Sequence, residues 1–218
     1  MEMNVCKFEQ HIQKTISLNY LSFLPEGYDP SNNYPLIVFL HGIGERGDDP
    51  EKIMANGLPQ ILEQNLPIIL ICPQCPDGTI WSMETDALDA FIDDVIRNYP
   101  IDENRMYLTG LSMGGYGTWD YALRYPNRFA ALAPVCGGTL RLEDIGRIKH
   151  LPIWAFHGEL DKRIPAEGTR LLVRTLEAVG GNIKATYYPE VGHNAWVHAY
   201  STPELYEWLL RQERKLER

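Results

Sequence analysis

The chain has 218 residues, enough to bury a sizeable core in one domain, and no linker or low-complexity tract divides it. Its net charge is -9 and its lysines and arginines form no cluster, which argues against nucleic acid and anionic membranes as partners. The longest apolar run, residues 129–136, is too short to span a bilayer, and the N-terminal residues lack the apolar core of a signal peptide. We therefore expect a soluble, cytoplasmic protein that forms a single domain over residues 1–218.

Cysteine usage indicates neither a disulfide framework nor a metal site. Four cysteines in a chain of this size do not make a disulfide framework. Cys72 and Cys75 have the spacing of a redox or metal-binding pair, but the chain has no second such pair and no suitable histidine nearby in sequence. We interpret them as the end of a strand running into a loop, and we predict neither a metal nor a cofactor.

The first part of the chain predicts strands joined by loops. Rough alternation of apolar residues at 5–24 predicts two antiparallel edge strands. The unbroken apolar run at 36–40 is typical of a strand buried on both faces, and it ends in the glycine-rich loop 41–47. We expect an irregular helix at 50–64 and a second buried strand at 68–72.

The second part of the chain alternates helices and strands. Residues 85–99 place apolar side chains on one face at helical spacing, and Pro100 stops that helix. The other predicted elements are a strand around 107–108, a helix to about Tyr125, a strand at 129–135, a short helix at 141–149, a strand at 152–156, a helix from Pro165 to Gly180, a strand at 183–188 and a C-terminal helix that begins with a capping box at 201–204. This alternation predicts an α/β fold with a mostly parallel, doubly covered sheet. Only the loop 136–150 is a candidate cover for a site, so no large lid is expected.

A short glycine-rich motif follows the predicted strand at 107–108. Residues 110–114 read Gly-Leu-Ser-Met-Gly and fit the G-x-S-x-G pattern, in which a strand breaks sharply into a helix. The pattern is weak alone, but here it lies between a strand-like run and a helix-like run, as the motif requires. We therefore predict a nucleophile elbow, with Ser112 as the nucleophile and its hydroxyl held above the edge of the sheet.

A serine nucleophile needs a base that takes its proton, an acid that orients the base, and donors for the oxyanion. In a parallel sheet these groups belong at the carboxyl ends of strands. Asp161 follows the predicted strand at 152–156, and His193 follows the one at 183–188. The order Ser112, Asp161, His193 is the order that accompanies this elbow, so we expect these three residues to form a catalytic triad.

The acid and the base each have an alternative. Glu159 lies in the same loop as the expected acid, although it is also explained as a solvated carboxylate. His198 follows His193 by five residues, and it is also explained as part of the approach to the last helix. His41 and His157 each precede a glycine at a strand end, and we expect them to order their loops through hydrogen bonds.

Five segments together resemble the α/β-hydrolase superfamily. They are residues 24–28, 40–47, 110–115, 157–161 and 192–193, and they span nearly the whole chain. The chain looks like the compact carboxylesterase/phospholipase-like and "predicted peptidase" serine hydrolases, which are related to feruloyl esterases and dienelactone hydrolases. The resemblance implies an α/β-hydrolase fold and supports Asp161 as the acid. A serine stands where dienelactone hydrolases themselves have a cysteine.

The resemblance also bears on the groups that surround the nucleophile. The oxyanion hole is expected to use the backbone N–H of Met113, just after the nucleophile, and, by resemblance, that of Ile43. Glu45 and Arg46 lie in the same loop as Ile43 and can reach a substrate. The favoured alternative is an internal ion pair between them that braces the loop.

Two tryptophans and a cysteine lie just past predicted strand ends or in loops on the same edge of the sheet. They are Trp81, Trp196 and Cys136. We expect Trp81 and Trp196 to line the substrate pocket; the alternative is that they anchor the core and that Cys136 is a small buried apolar residue.

Together with the resemblance, these residues predict a cofactor-free serine carboxylesterase that hydrolyses small-molecule carboxylic esters, short-chain or aryl, through an acyl-enzyme. Feruloyl-type esterase, thioesterase and small-peptide hydrolase use the same mechanism and remain alternatives. A non-catalytic binding scaffold is the alternative from another class, but such scaffolds usually carry a broken triad. Metal-dependent hydrolysis has no H-E-x-x-H or comparable motif behind it. The oligomeric state does not follow from the sequence.

Overall fold

The fold is built around one β-sheet flanked by helices. The computed structural model describes residues 3–11, 13–61 and 66–214. Within these residues the sheet has seven strands, in the order β1-β3-β2-β4-β5-β6-β7. The strands are β1 (Tyr20–Phe23), β2 (Tyr34–Leu40), β3 (Ile69–Pro73), β4 (Ile101–Leu111), β5 (Ala131–Val135), β6 (Ile153–Gly158) and β7 (Ile183–Tyr188). The helices are α1 (Leu58–Ile61), α2 (Thr85–Asn98), α3 (Met113–Arg124), α4 (Ala166–Ala178), α5 (Trp196–Tyr200) and α6 (Pro203–Leu210).

The sheet is mostly parallel, as predicted. β1 pairs antiparallel with β3, and every other neighbouring pair runs parallel. Parallel strands need crossover connections, which place helices on both faces of the sheet. The carboxyl ends of the parallel strands therefore meet at one edge, and the loops that follow β2, β4, β6 and β7 lie side by side there.

Alternate side chains of β2 enter two separate apolar cores. Leu36, Val38 and Leu40 pack in the core that includes side chains of α2, α3 and α4. Ile37 and Phe39 pack in the core that includes side chains of α1, α5 and α6. This division follows from the two-residue period of a strand, and it explains why β2 is an unbroken apolar run.

The amphipathic helix predicted at 85–99 is confirmed as α2. Its buried apolar side chains are Ala87, Leu88, Phe91, Ile92 and Val95. Tyr99 ends the helix in an extended conformation, as expected for the residue before Pro100. None of the helices in the described ranges combines the length and the apolar composition needed to cross a membrane.

Among the described residues of the segment 5–24 there is one strand instead of the two predicted. This strand, β1, pairs from Tyr20 beside Pro73 to Phe23 beside Leu70. The side chains at 5–11 and 13–17 are exposed, so their rough alternation has no core to pack against. Residue 12 lies outside the described part of the chain.

Three predicted helices differ from those observed. The segment 50–64 divides into a 3-10 helix at Pro50–Ala55 and the short α1, because Gly57 lies between them with a φ of +84°. The helix predicted at 141–149 is the 3-10 helix Leu142–Ile148. The prediction of a capping box at 201–204 is wrong. The Thr202 hydroxyl donates to the carbonyl oxygen of His198 instead, and among the described residues no side chain caps the start of α6. Residues 62–65 and 215–218, to which two of these predictions extended, lie outside the described residues.

Candidate active site

Ser112 lies at a sharp bend between β4 and α3. Its φ is 54° and its ψ is -116°, a conformation that L-residues rarely adopt. A Cβ at Gly114 would overlap the carbonyl oxygen of Leu40, and one at Gly110 would lie 2.5 Å from the carbonyl oxygen of Gly114. Both glycines are therefore required where β2, β4 and α3 approach each other. The geometry is that of the predicted elbow.

Three side chains from three different loops form one chain of hydrogen bonds. The Ser112 Oγ lies 2.9 Å from His193 Nε2, and His193 Nδ1 lies 2.7 Å from Asp161 Oδ2. Asp161 Oδ1 accepts hydrogen bonds from the backbone N–H groups of Arg163 (2.9 Å) and Ile164 (3.0 Å). The structure thus brings together the three residues that the sequence singled out, with the imidazole between hydroxyl and carboxylate.

The surroundings of Asp161 favour its ionised form. Burial alone would raise its pKa, but the hydrogen bonds from His193 and from the amides of Ile164 and Arg163 outweigh it, so the pKa lies below its ordinary value. A carboxylate that stays ionised fixes the tautomer of His193 with the proton on Nδ1, which leaves Nε2 free to accept the proton of Ser112.

The alternative acid and base make contacts elsewhere. Glu159 pairs with Arg170 on α4. His198 is exposed on α5, and its ring lies 5.2 Å from that of Tyr188. Neither contact involves Ser112, Asp161 or His193.

His41 and His157 order their loops, as predicted. His41 Nδ1 donates to the Gly42 carbonyl oxygen (2.6 Å), and its Nε2 accepts from the N–H of Cys75 (2.9 Å). Burial lowers the pKa of His41 to about 4, so the ring is neutral. The sequence did not reveal that the ring of His157 also lies near the acid, with Nε2 3.4 Å from an oxygen of Asp161.

The two residues expected to supply the oxyanion hole begin helices. Ile43 opens a 3-10 helix (Ile43–Glu45) and Met113 opens α3. Over the described ranges, neither backbone N–H donates to an acceptor within the protein. Both residues line the cleft that contains Ser112, so their N–H groups are available to a bound oxygen.

Glu45 and Arg46 brace the loop, but not as the ion pair we expected. Glu45 is turned inward, and its Oε1 accepts from Asn56 Nδ2 at 2.9 Å. The Arg46 guanidinium donates to the carbonyl oxygens of Ile43 (3.2 Å) and Thr79 (2.9 Å). The two side chains diverge, and no ion pair between them is found among the described residues.

Of the two tryptophans predicted to line the pocket, only Trp196 does so. Trp196 is half-buried, lines the cleft, and meets the His193 ring edge-on at a centroid distance of 5.4 Å. The prediction for Trp81 is wrong, because its side chain is fully buried and its indole N–H donates to the His41 carbonyl oxygen at 3.1 Å. Gly117 on α3 leaves the space that Trp81 fills.

The residues with metal-binding atoms near the acid are already engaged. Cys136, His157 and Asp161 hold their ligand atoms within 4.8 Å of one another. Both ring nitrogens of His157 make hydrogen bonds, to Thr169 Oγ1 (2.7 Å) and to the Ile164 carbonyl oxygen (2.8 Å). Cys136 is buried, which raises the pKa of its thiol to about 12. Protonated sulfur and occupied nitrogens do not suit a cation.

The cleft at Ser112 has two lobes that share Ser112 and Ile43. The larger lobe, about 700 Å³, is mostly apolar and is lined by Ile80, Met113, Tyr116, Leu140 and Ile164, among others. The smaller lobe, about 450 Å³, is more polar and is lined by Glu45, Asn56, Arg163, His193, Asn194 and Trp196, among others.

A mostly parallel sheet with a sharp strand-to-helix bend at Ser112, at its carboxyl edge, has the architecture of an α/β-hydrolase fold. Residues 78–203 match the dienelactone hydrolase family, and this stretch is more than half of the chain. The chain belongs to that family, which confirms the resemblance.

Esterases are prominent among its relatives. A bifunctional acetylxylan esterase/xylanase of Neocallimastix patriciarum is 31% identical over 142 residues, which cover 62% of this chain and 21% of that protein. A probable feruloyl esterase C of Aspergillus terreus is 29% identical over 169 residues, 72% of this chain and 60% of that protein. The chain therefore spans about three fifths or less of the length of these relatives.

Solved structures support the same fold. A thermostable esterase superimposes with a TM-score of 0.79 at 36% identity, covering 90% of this chain and 60% of that one. The feruloyl esterase module of Clostridium thermocellum, in complex with sinapinate, has a TM-score of 0.70 at 17% identity and covers 94% of this chain and 89% of that one. The second likeness concerns the fold alone.

Proposed function

We propose that the chain is a serine carboxylesterase in which Ser112, His193 and Asp161 act as the triad. The observation that carries this proposal is the continuous hydrogen-bond chain from the Ser112 hydroxyl through His193 to Asp161, at the strained bend of the elbow. Esterase relatives at 31% and 29% identity support an ester as the substrate.

The first half of the reaction transfers the acyl group to the enzyme. Ser112 Oγ attacks the carbonyl carbon while its proton passes to His193 Nε2. The resulting oxyanion accepts hydrogen bonds from the N–H groups of Met113 and Ile43, which develop fully only when the carbonyl oxygen becomes charged. The intermediate then collapses, and His193 gives its proton to the leaving alcohol oxygen as the carbon–oxygen bond breaks.

The second half repeats these steps with water. His193 takes a proton from a water molecule that attacks the acyl-enzyme, and it returns a proton to Ser112 Oγ as the acid leaves. Asp161 stays ionised throughout and stabilises the imidazolium in both halves. No group other than these side chains and amides is needed to balance the reaction.

Short-chain and aryl acyl groups are the substrates we propose for this site. The larger lobe is mostly apolar and has the volume of a typical small-molecule pocket. Thioesters and small peptides are alternative substrates of the same triad. All four cysteines, Cys6, Cys72, Cys75 and Cys136, are free thiols, and this supports our proposal that the enzyme acts in the cytoplasm.

The test is hydrolysis of a p-nitrophenyl ester series, from acetate to long-chain acyl groups, together with aryl esters. We expect wild type to cleave short-chain or aryl esters and Ser112→Ala to lose the activity. Asp161→Asn is expected to lower turnover by about ten-thousandfold without unfolding the protein, because it stabilises the wrong tautomer of His193. A fluorophosphonate probe should label wild type and leave Ser112→Ala unlabelled. Full activity in Ser112→Ala would refute the proposal.

A further inference from the structure

A buried histidine ring lies behind the proposed acid, and the proposed reaction does not use it. This is His157 on β6, whose side chain is fully buried and therefore cannot contact a substrate. Burial lowers the pKa of its ring, so the ring is neutral at neutral pH and carries one proton. Nε2 lies 2.8 Å from the carbonyl oxygen of Ile164, which can only accept, so the proton is on Nε2.

Ile164 connects this ring to the acid. Its backbone N–H donates to Asp161 Oδ1 at 3.0 Å, while its carbonyl oxygen accepts from His157. The same ring nitrogen lies 3.4 Å from Asp161 Oδ2, the oxygen that accepts from His193 Nδ1 at 2.7 Å. Without the ring, Ile164 would lose the contact that holds its position, and the carboxylate would lose a fixed donor on Oδ1.

The other side of the ring leads to the helix that follows the nucleophile. Nδ1 accepts from the hydroxyl of Thr169 on α4 at 2.7 Å, and the same hydroxyl reaches the carbonyl oxygen of Gly137 at 3.0 Å. Gly137 packs tightly against Gly115 in the first turn of α3, because a Cβ at Gly137 would lie only 2.4 Å from the carbonyl carbon of Gly115. A buried network therefore runs from the acid loop to the helix that begins directly after Ser112, on a path separate from the triad.

We propose that His157 is a positioning residue for the acid of the triad. It holds Ile164 and thereby fixes the orientation of Asp161 towards His193, and through Thr169 it ties the acid loop to the elbow. The inference rests on the proposed esterase function, since it assigns how the acid of that triad is held. His157 transfers no proton and touches no substrate.

Two substitutions at this position separate the roles of the two ring nitrogens. The amide of glutamine reaches about as far as Nε2, so His157→Gln can still donate to Ile164. The shorter asparagine reaches only the position of Nδ1, so His157→Asn leaves the Ile164 carbonyl oxygen without this donor. For the best p-nitrophenyl ester, we expect His157→Asn to lower kcat about tenfold to a hundredfold at unchanged KM, because a small displacement of an orienting group slows the chemical step without weakening binding. His157→Gln should keep most of the wild-type kcat.

A double-mutant cycle with Asp161→Asn tests whether His157 acts through the acid. The rate constant of fluorophosphonate labelling of Ser112 can be measured for all four proteins without turnover. If His157 acts through Asp161, His157→Asn should slow labelling much less in the Asp161→Asn background than in wild type. A ring that only supports the fold would slow labelling by the same factor in both backgrounds.

A second variant and two controls keep the test independent of one substitution. Thr169→Val removes only the hydroxyl between His157 and Gly137, and it should lower kcat by a smaller factor at unchanged KM. Thr175→Val is the matched control on the same helix, because that hydroxyl donates to the Leu171 carbonyl oxygen within α4, at 2.8 Å. His150→Asn makes the histidine substitution at an exposed position. Both controls should behave as wild type.

The outcomes separate the positioning role from the esterase. Wild-type kcat in folded His157→Asn, equal losses in the asparagine and glutamine variants, or equal factors in the cycle would each overturn the positioning role and leave the esterase standing. No hydrolysis of any ester, with no fluorophosphonate labelling of folded wild type, overturns both. If thermal unfolding shows that His157→Asn does not fold, Thr169→Val decides, and wild-type kcat in that variant overturns the inference.

Discussion

His41, which lies at the end of β2 just before Gly42 and Ile43, makes the stability of the folded state sensitive to acid. Its ring is buried, and each nitrogen has a fixed role, because Nδ1 donates to Gly42 and Nε2 accepts from the N–H of Cys75. Burial disfavours the charged form of the ring and lowers the pKa of His41 from 6.5 to about 4. A second proton, on Nε2, would also face the N–H of Cys75 and break that hydrogen bond.

The consequence for stability follows from linkage. In the unfolded chain His41 takes up a proton near its ordinary pKa of 6.5, but in the folded protein it does so only near pH 4. Between these values the unfolded state binds more protons, so stability that is fully present above the unfolded pKa is lost as the pH falls towards 4. The loss from this one residue is about 3 kcal/mol, a large part of the 5 to 15 kcal/mol, roughly, that stabilises a typical domain.

Urea unfolding of wild type and His41→Gln from neutral pH to about pH 4 tests this reasoning. Glutamine keeps an acceptor for Cys75 but does not titrate. We expect the variant to be less stable at neutral pH, since its side chain replaces a ring packed against Trp81. Its stability should fall less steeply with acid, by at most about 1.4 kcal/mol per pH unit. His198→Gln, at an exposed histidine, controls for the substitution. Parallel pH profiles for wild type and His41→Gln would refute the argument.

Two further predictions concern the sheet and its helices. Gly114→Ala should cost about 3 kcal/mol or more in urea unfolding, or prevent folding, because the new Cβ meets the carbonyl oxygen of Leu40. Gly168→Ala, in α4 and with nothing within 4 Å of its Cβ position, should instead stabilise by roughly 0.5 to 1 kcal/mol, and equal effects at the two glycines would contradict this view. Tyr200→Phe should cost about 1 kcal/mol, since it removes a buried hydroxyl that lies 2.9 Å from Thr109 Oγ1; an unchanged midpoint would show that this hydrogen bond contributes nothing.

The central strands and α2 could be predicted because their local patterns report burial directly. β2 is covered on both faces, so nearly every residue in it is apolar, whatever its partners. The start of β4 carried no such signal: its residues 102–105 are polar and only partly buried or exposed, and the pairing of Ile101 beside Tyr34 makes them a strand. The same limitation produced the error at 5–24, where the apolar alternation is present but the described residues include no partner for a second strand.

The candidate site shows the same division between local and tertiary information. Ser112, Asp161 and His193 could be selected because each follows a strand, and strand order alone brings such residues to one edge. Trp81 and Trp196 also lie near that edge, yet one is fully buried and the other borders the cleft. Trp81 can be buried because Gly117 on α3, which is distant in sequence, has no side chain and leaves room for it. The local sequence around Trp81 does not report this contact.

The strained backbone of Ser112 persists because the surrounding sheet fixes it from several sides. Its N–H donates to the Val135 carbonyl oxygen at 3.0 Å, which ties the bend to β5, while Gly114 holds it against β2. A relaxed Ser112 would therefore require movement of three buried strands, which costs more than the roughly 1 to 3 kcal/mol of strain. The nucleophile is thus positioned by the most constrained part of the fold.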